Sequence, residues 1–592
     1  MKLTIKRPGI PGAAVLAMAT ASYMSGAQAV NFNIGEVEGQ FDSALSVGAS
    51  WALRAPDRDF IGTGNGGQGD TMTSDDARLN FKKGETFSKI FKGVHDLELK
   101  YGNSGVFLRG KYWYDFELKD ESRLLYDIRD DNRKRGAQSS GYDLLDAFVY
   151  HNYELGDLPG AIRVGKQVVS WGGSLFIGGG INSINPLDAN ALRRPGSELK
   201  EGLLPVNMLY LQQALTDSVS MEAFYQLEWD QTVADNCGTF FASSDIVADG
   251  CYDRYVVRGP DIEPGESDNT GLNGNTVYLP RGGDRDARDS GQFGIALRWF
   301  VPELNDTEFG LYYMNYHSRM PVGNSVISSA PNPFAAPGFG AASAEYFLSY
   351  PEDIRLYGLS FATTIGTASV EGELSYRPNM PLGFDDLTYA TLRLAPVVPS
   401  IIPNSGMPGD EIQGYTRVPM TQGQVSVIQT FDQVLGASRL NLIGEVAFNH
   451  LNGINEGDYG EFRFGRASHF GPGVYYDENG DDICPTLLGG QPENCNNHGF
   501  FTRNSWGYRL RAGLTYPGVI GGLDLSPSLA WSHDVDGYGP NFNEGAKAVS
   551  LGLGAKYLNN YEASISYTDY FGGDYTTNGD RDFISVSFGV TF

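Results

Sequence analysis

Along most of this chain apolar residues alternate with polar or small ones, and the alternation is clean at the end. Ile584, Val586, Phe588, Val590 and Phe592 share one face of an extended segment; Phe583, Ser585, Ser587, Gly589 and Thr591 share the other. A period of two belongs to a strand with one apolar face. The same reading predicts strands at 36–53, 94–102, 105–118, 142–154, 161–169, 206–214, 219–229, 291–300 and 307–317. It continues at 354–365, 368–377, 422–431, 438–450, 505–516, 523–533, 546–557, 561–570 and 581–592. That makes eighteen, and sixteen to eighteen fit the pattern.

The connections between these windows alternate short and long without a break. Asn103-Ser104, 155–160, 215–218, 301–306, Gly366-Thr367, 432–437, 517–522 and 558–560 are short. The intervening ones are longer, from 54–93 at the start to 571–580 at the end. Short turns on one side and long loops on the other mark an outer-membrane barrel with both termini inside. The predicted fold is therefore all-β, a transmembrane antiparallel β-barrel. A last strand with an aromatic face would invite edge pairing in a soluble sandwich, whereas closing a barrel removes the edge. A terminal Phe on such a strand resembles the assembly signal read by the bacterial barrel-assembly machinery, with Phe588 and Phe592 presenting it.

The start of the chain points to the same compartment. Lys2, Lys6 and Arg7 precede an apolar run from Ile10 to Ala19, and Ala27-Gln28-Ala29 follows. This reads as a Sec signal peptide over 1–29, cut between Ala29 and Val30, with one barrel over 30–592. The run is too short to span a bilayer as a helix. Removing the leader with its three cationic residues takes the formal charge from −27 to −30. No basic stripe remains to neutralise phosphates, which argues against nucleic acid. The acidic loops fit a solvated surface, or a share in the divalent cations of lipopolysaccharide. Tyr 33, Phe 33 and Gly 76 suit barrel girdles and turns.

Charge tells which face is inside. Between Val106 and Leu118, Phe107, Arg109, Lys111, Trp113, Asp115 and Glu117 oppose a face of Val106, Leu108, Gly110, Tyr112, Tyr114, Phe116 and Leu118. An Arg or Lys at the midplane of a barrel's lipid face costs roughly 2–4 kcal/mol, so the charged faces belong to the lumen. Lumen candidates are Arg109, Lys111, Arg163, Arg298, Arg377, Arg509 and Arg511, with Asp115, Glu117, Glu222, Glu228, Glu371, Glu373 and Glu445. Both signs are present, so no simple ion filter is predicted. Cross-strand pairing and a ladder that orients a solute are both open.

The connection 170–205 mixes apolar and charged residues, including Arg193, Arg194 and Glu198, and is expected to constrict the pore or to form an external lid. Gly178-Gly179-Gly180 lacks the Gly-Lys-Ser/Thr of a phosphate loop. Cys237 with Cys251, and Cys484 with Cys495, fall in two polar stretches; pairing within each is the simplest of three connectivities, and an exported chain favours disulfides. Asp477, Asn479 and Asp481 alternate oxygen ligands like a calcium loop, but Leu488 stands where the bidentate Glu should be, so no metal is assigned. Val397, Val398, Ile401 and Ile402 could line an apolar entrance. Lys82, Lys83, Lys89 and Lys92 are candidates to meet lipopolysaccharide phosphates, or a solvated strand end.

Longer motifs carry a resemblance. Arg163-Val-Gly-Lys-Gln-Val-Val-Ser-Trp-Gly-Gly-Ser, then Gly-Gly-Ile-Asn-Ser-Ile-Asn-Pro, Leu-Arg-Arg-Pro-Gly-Ser-Glu-Leu-Lys-Glu and Glu222-Ala-Phe-Tyr-Gln are similar to the domain-of-unknown-function-1302 (DUF1302) family of Gram-negative outer-membrane proteins. The resemblance implies a role in moving hydrophobic compounds or lipids across the envelope. It also implies a periplasmic lipoprotein-like partner and an inner-membrane exporter of the resistance-nodulation-division type. It supplies no catalytic residues and no cofactor.

Three function classes follow. A channel for small or hydrophobic molecules, part of an envelope transport system, leads. The alternatives are an adhesin-like scaffold with disulfide-stapled binding loops and an outer-membrane hydrolase. The seven histidines are dispersed and no G-x-S-x-G or H-E-x-x-H motif is present.

Overall fold

The computed structural model describes residues 30–592 except 124–127, 252–253, 259–276, 328–343, 386, 388–406, 408, 455–462, 478 and 486–490. The expected leader with Ala29, and the apolar group Val397, Val398, Ile401 and Ile402, lie outside the described residues.

Eighteen antiparallel strands form a closed barrel. They are β1 (Val37–Ala52), β2 (Thr86–Tyr101), β3 (Ser104–Asp115), β4 (Ser140–Leu155), β5 (Leu158–Gln167) and β6 (Val206–Ala214). Next come β7 (Val219–Gln226), β8 (Phe293–Val301), β9 (Thr307–Tyr316), β10 (Ile354–Ile365), β11 (Ala368–Gly383) and β12 (Tyr415–Asp432). The last are β13 (Arg439–Leu451), β14 (Asn504–Ile520), β15 (Leu523–Asp536), β16 (Lys547–Tyr557), β17 (Tyr561–Phe571) and β18 (Phe583–Thr591). Each strand pairs with the next, and β18 returns to β1 with Ala44 opposite Thr591 and Ala52 opposite Phe583. A short strand missed by the periodicity, Val30–Ile34, pairs with the start of β1.

The outer surface is built for lipid. Leu297, Leu311, Leu359 and Leu374 stand in register across four neighbouring strands, all exposed. Rows of Trp299, Phe309 and Phe361 on one side and Tyr313, Tyr357 and Tyr376 on the other flank them. An apolar band edged by aromatic rings is the surface that a transmembrane barrel presents to a bilayer. Among the described residues no helix is long and apolar enough to cross a membrane.

Two expectations need correction. β2 begins at Thr86, well before residue 94, because β1 keeps pairing with it up to Trp51. Residues 116–118 leave the strand for a short helix, Phe116–Asp120, where the Asp115 carboxylate accepts N–H bonds from Glu117 and Leu118 at 3.0 and 3.2 Å. Asp115 is therefore a helix cap, and Glu117 leaves the strand face to pair with Arg123 at 2.8 Å and Lys89 at 2.5 Å.

The interior is not uniformly polar. Met208, Tyr210, Phe224, Tyr312, Met314, Ile354 and Leu356 point inward from β6 to β10 and bury Trp171, Ile181 and Ile184 of the following-strand connection 168–205. Strands apolar on both faces are strands covered on both faces. Here lipid covers one side and a loop the other.

Candidate functional site: the loop across the lumen

The connection 168–205 is held inside the barrel by side chains from widely separated strands. The Trp171 indole donates to Glu222 Oε2 of β7 at 2.7 Å, and Glu222 also accepts from the Tyr210 hydroxyl and from Arg298. Glu373 of β11 accepts from the backbone N–H of Gly173 and Ile181 at 3.0 and 2.9 Å. Glu445 of β13 accepts from the successive N–H groups of Leu175, Phe176 and Ile177, at 3.0, 2.6 and 2.9 Å. Arg377 of β11 donates to the carbonyls of Gly179 and Gly180. Hydrogen bonds to charged groups contribute roughly 1.5–3 kcal/mol each, so this set anchors the first half of the loop.

The glycines of this segment make the approach possible. A Cβ on Gly180 would sit 1.9 Å from Glu373 Oε1, and one on Gly172, whose φ is +82°, would sit 2.2 Å from Oε2. The bare backbone lets carboxylates reach N–H groups that a side chain would cover.

The second half crosses to the opposite wall. Lys111 of β3 donates to Asp188 Oδ2 at 2.8 Å and to the Glu201 carbonyl at 2.8 Å. Lys92 of β2 donates to Glu201 Oε1 at 2.5 Å and to the Gly196 carbonyl at 2.8 Å. A Cβ on Gly48 of β1 would meet Pro195 at 2.5 Å, and one on Gly196 would meet Ser587 of β18 at 2.8 Å. From Glu445 to Ser587, the segment thus touches both sides of the barrel.

The remaining candidates fall into place around this loop. Arg109 pairs with Asp96 and Asp146 at 2.7 and 3.2 Å, Arg298 with Glu222 and Glu308 at 2.8 and 2.9 Å, and Arg509 with Asp534 at 2.7 Å. These are mainly cross-strand pairs. Arg163 stacks 4.1 Å over the Tyr210 ring. Glu371 faces Gly173, where a Cβ would lie 2.4 Å from its carboxylate. Arg511 shares the face of Arg509 with no ion pair among the described residues. Glu228 accepts from the backbone and side chain of Asn207 at the end of β6. Arg193 pairs with Asp235 at 2.5 Å, Glu198 with Lys200 at 3.1 Å, and Arg194 stacks 4.4 Å over Trp113. Burial of Arg194 lowers its pKa, opposed by Asp188, Asp115 and Glu201.

Some readings of the sequence are redirected. Lys92 faces inward, 4% exposed, so it does not meet lipopolysaccharide. Asp477 spends its carboxylate on the N–H groups of Asn479 and Asp481, at 2.8 and 3.0 Å, and closes its own turn. The carboxylates that converge among the described residues are instead Asp75, Asp76 and Asp245, all buried. Disulfides Cys237–Cys251 and Cys484–Cys495 are formed, one in the 227–292 loop and one in the 452–503 loop.

A family model described as "Protein of unknown function (DUF1302)" matches residues 10–592, nearly the whole chain. The chain belongs to the DUF1302 family. The motifs that suggested this family are those that build the crossing loop: Trp171-Gly172-Gly173, Gly179-Gly180-Ile181 and Arg193-Arg194-Pro195-Gly196. No curated protein matches the chain. Similar solved structures include Acinetobacter baumannii OccAB1, 10% identical, with 96% of this chain and 98% of that one covered at a TM-score of 0.39. Pseudomonas aeruginosa OccD3 (OpdP) is 9% identical, covering 96% and 94% at 0.39. The outer membrane channel DcaP of Acinetobacter baumannii is 9% identical, covering 95% and 100% at 0.33.

For this DUF1302 protein, sequence reasoning found Glu373 and Glu445 as lumen acids but not as loop anchors. The available signal was the run of glycines, which leaves bare N–H groups for acids to accept. Arg581 and Asp580, both buried behind β18, were missed. They sit in a connection that reads as an ordinary polar turn.

Proposed function

We propose that the protein is an outer-membrane channel of Gram-negative bacteria for small or hydrophobic molecules, with its aperture set by the loop 168–205. The observation that carries this is the fixation of that loop across the lumen by Glu222, Glu373 and Glu445 on one side and Lys92 and Lys111 on the other. A loop held by charge-assisted bonds to the wall restricts passage without closing the barrel by fold alone. Planar-bilayer recording of the purified barrel tests the proposal. Current is expected from the wild type, with a larger unitary conductance after deletion of 170–205. No current from either folded protein would overturn it.

The cargo can carry an apolar body. A cavity of about 530 Å³ among the long loops is lined by Val247, Tyr255, Leu279, Phe384 and Leu387, and it reaches Arg193 at the crossing loop. Such a vestibule favours amphipathic over purely ionic solutes. In this proposal a Sec leader and the barrel-assembly machinery deliver the protein, lipopolysaccharide surrounds it, and a periplasmic lipoprotein-like partner with an exporter of the resistance-nodulation-division type hands cargo on. Co-purification of such a pair with the tagged barrel from native membranes is the expected result.

A further inference from the structure

Between the tip of the crossing loop and the wall formed by β17 and β18 lies a second cavity of about 420 Å³. Four arginines line it: Arg78, Arg193, Arg194 and Arg581. No acidic residue does, in a chain with 71 Asp and Glu against 44 Lys and Arg. The rest of the lining is hydroxyl groups, the Asn578 amide and apolar surface, including Phe241 and Phe583.

The four arginines differ in how closely a carboxylate approaches them. Arg78 holds Asp580 through Nε and Nη2, at 3.0 and 3.3 Å, and Arg581 Nε lies 3.6 Å from the same carboxylate. Arg193 has Asp235. Arg194 reaches no carboxylate within ion-pair distance among the described residues; its Nη2 donates to the Gly136 carbonyl at 3.0 Å. Within ion-pair distance, two carboxylates serve three of the four guanidiniums, while Asp188, Asp115 and Glu201 act on Arg194, and Asp245 on Arg581, from farther off. Arg581 is 4% exposed, and its Nη2 has no hydrogen-bond partner among the described residues. Burial, with Arg78 close by, pushes its pKa down to about 9. A buried donor left unmade costs roughly 1–3 kcal/mol, and more when charged, so an anion that accepts from it would be stabilised.

Resting on the channel reading, we propose that this cavity is a binding subsite for an organic carboxylate with an apolar body, which pairs with Arg581 and Arg194 while its body lies against Phe241 and Phe583. Arg193 and Ser243 line both this cavity and the apolar vestibule, which makes the two spaces neighbours along one route. The vestibule receives the apolar part and the arginines select the charged end. Arg–carboxylate recognition is bidentate and directional, so the subsite discriminates an acid from its amide.

Equilibrium titration of the detergent-solubilised full-length mature barrel tests this without any current, so its failure is distinct from failure of the conductance experiment. The probes are benzoate, benzamide and inorganic phosphate. Benzoate is expected to bind at least tenfold more tightly than either of the others. Arg581→Gln should lose that binding. Ser566→Asp, which adds a carboxylate to the cavity lining and leaves every arginine in place, should lose it as well while keeping the heat-modifiable gel mobility of a folded barrel. Equal binding of benzamide, equal binding of phosphate, or unchanged benzoate binding by folded Ser566→Asp would each overturn the proposal.

Discussion

Phe592 and Ser43 exchange both backbone hydrogen bonds, at 2.8 and 2.6 Å, where the last strand meets the first. Beyond Ser43, β18 has ended, and the strand Val30–Ile34 takes over the same edge of β1, with Val30 opposite Phe41 and Ile34 opposite Val37. The Val30–Ile34 strand and the C-terminal strand thus fill one edge in turn and leave no row of unpaired backbone groups there.

Val47 and Phe588 are paired in that seam. Cysteines placed at both should cross-link on mild oxidation of the assembled protein, read by mass spectrometry of the tryptic peptides. Absence of the cross-link in folded protein would refute the closure. Removal of Phe592 is expected to lower the assembled fraction in cells, measured by heat-modifiable mobility.

Glu445 satisfies three consecutive N–H groups of the crossing loop. Glu445→Ala leaves them without an acceptor, at about 1–3 kcal/mol each if they stay buried. The loop is expected to loosen instead, so limited proteolysis should cut near Phe176 and unitary conductance should rise. A variant with wild-type cleavage and wild-type current would show that Glu445 does not anchor the loop.

Lys111 and Asp188 form an ion pair with side chains 2% and 0% exposed. Lys111→Met strands a buried carboxylate and should cost about 3–5 kcal/mol. Combining it with Asp188→Asn, which keeps an oxygen for the Ala191 N–H, should recover part of that loss. The midpoint of urea unfolding, compared across the two singles and the double, reads the coupling; additive effects would argue against a direct pair.

His469 joins two external loops, its Nε2–H donating to the Ser74 carbonyl at 3.3 Å. Burial, reinforced by Arg78, pushes its pKa down to about 3. Between that value and its ordinary one of 6.5, the unfolded chain binds a proton that the folded protein refuses. Stability from this group is therefore complete above the ordinary value and falls as pH drops through that window. His469→Gln should lose less thermal stability than wild type between about pH 7.5 and about pH 5. An equal loss in both proteins would mean that His469 does not control the acid response.

The strand order was legible because lipid outside and water or loop inside impose a period of two on each crossing. β6 and β10 match their expected windows at both ends, 206–214 and 354–365. Boundaries blurred where strands run past the bilayer, as at Thr86 and Gly383, since there only pairing with a neighbour defines the strand. Val30–Ile34 escaped for the same reason. The residues of the crossing loop were visible as a mixture of apolar and charged positions. Their targets were not: Glu373 lies 192 positions from Ile181, and Glu445 lies 269 from Phe176.

The sequence by itself determined the barrel, its parity and its facing, because each depends on patterns local to a strand or a turn. The sequence made the two local cysteine pairs the simplest of three connectivities, and the structure shows both formed. Only the tertiary structure decided what fills the lumen, because that depends on which inward side chains meet one loop once the sheet has closed. Closure brings Glu373, Glu445, Lys92 and Lys111 to opposite sides of a single segment, and brings Arg78, Arg193, Arg194 and Arg581 around one cavity. No periodicity encodes those distances; the circumference of the barrel does.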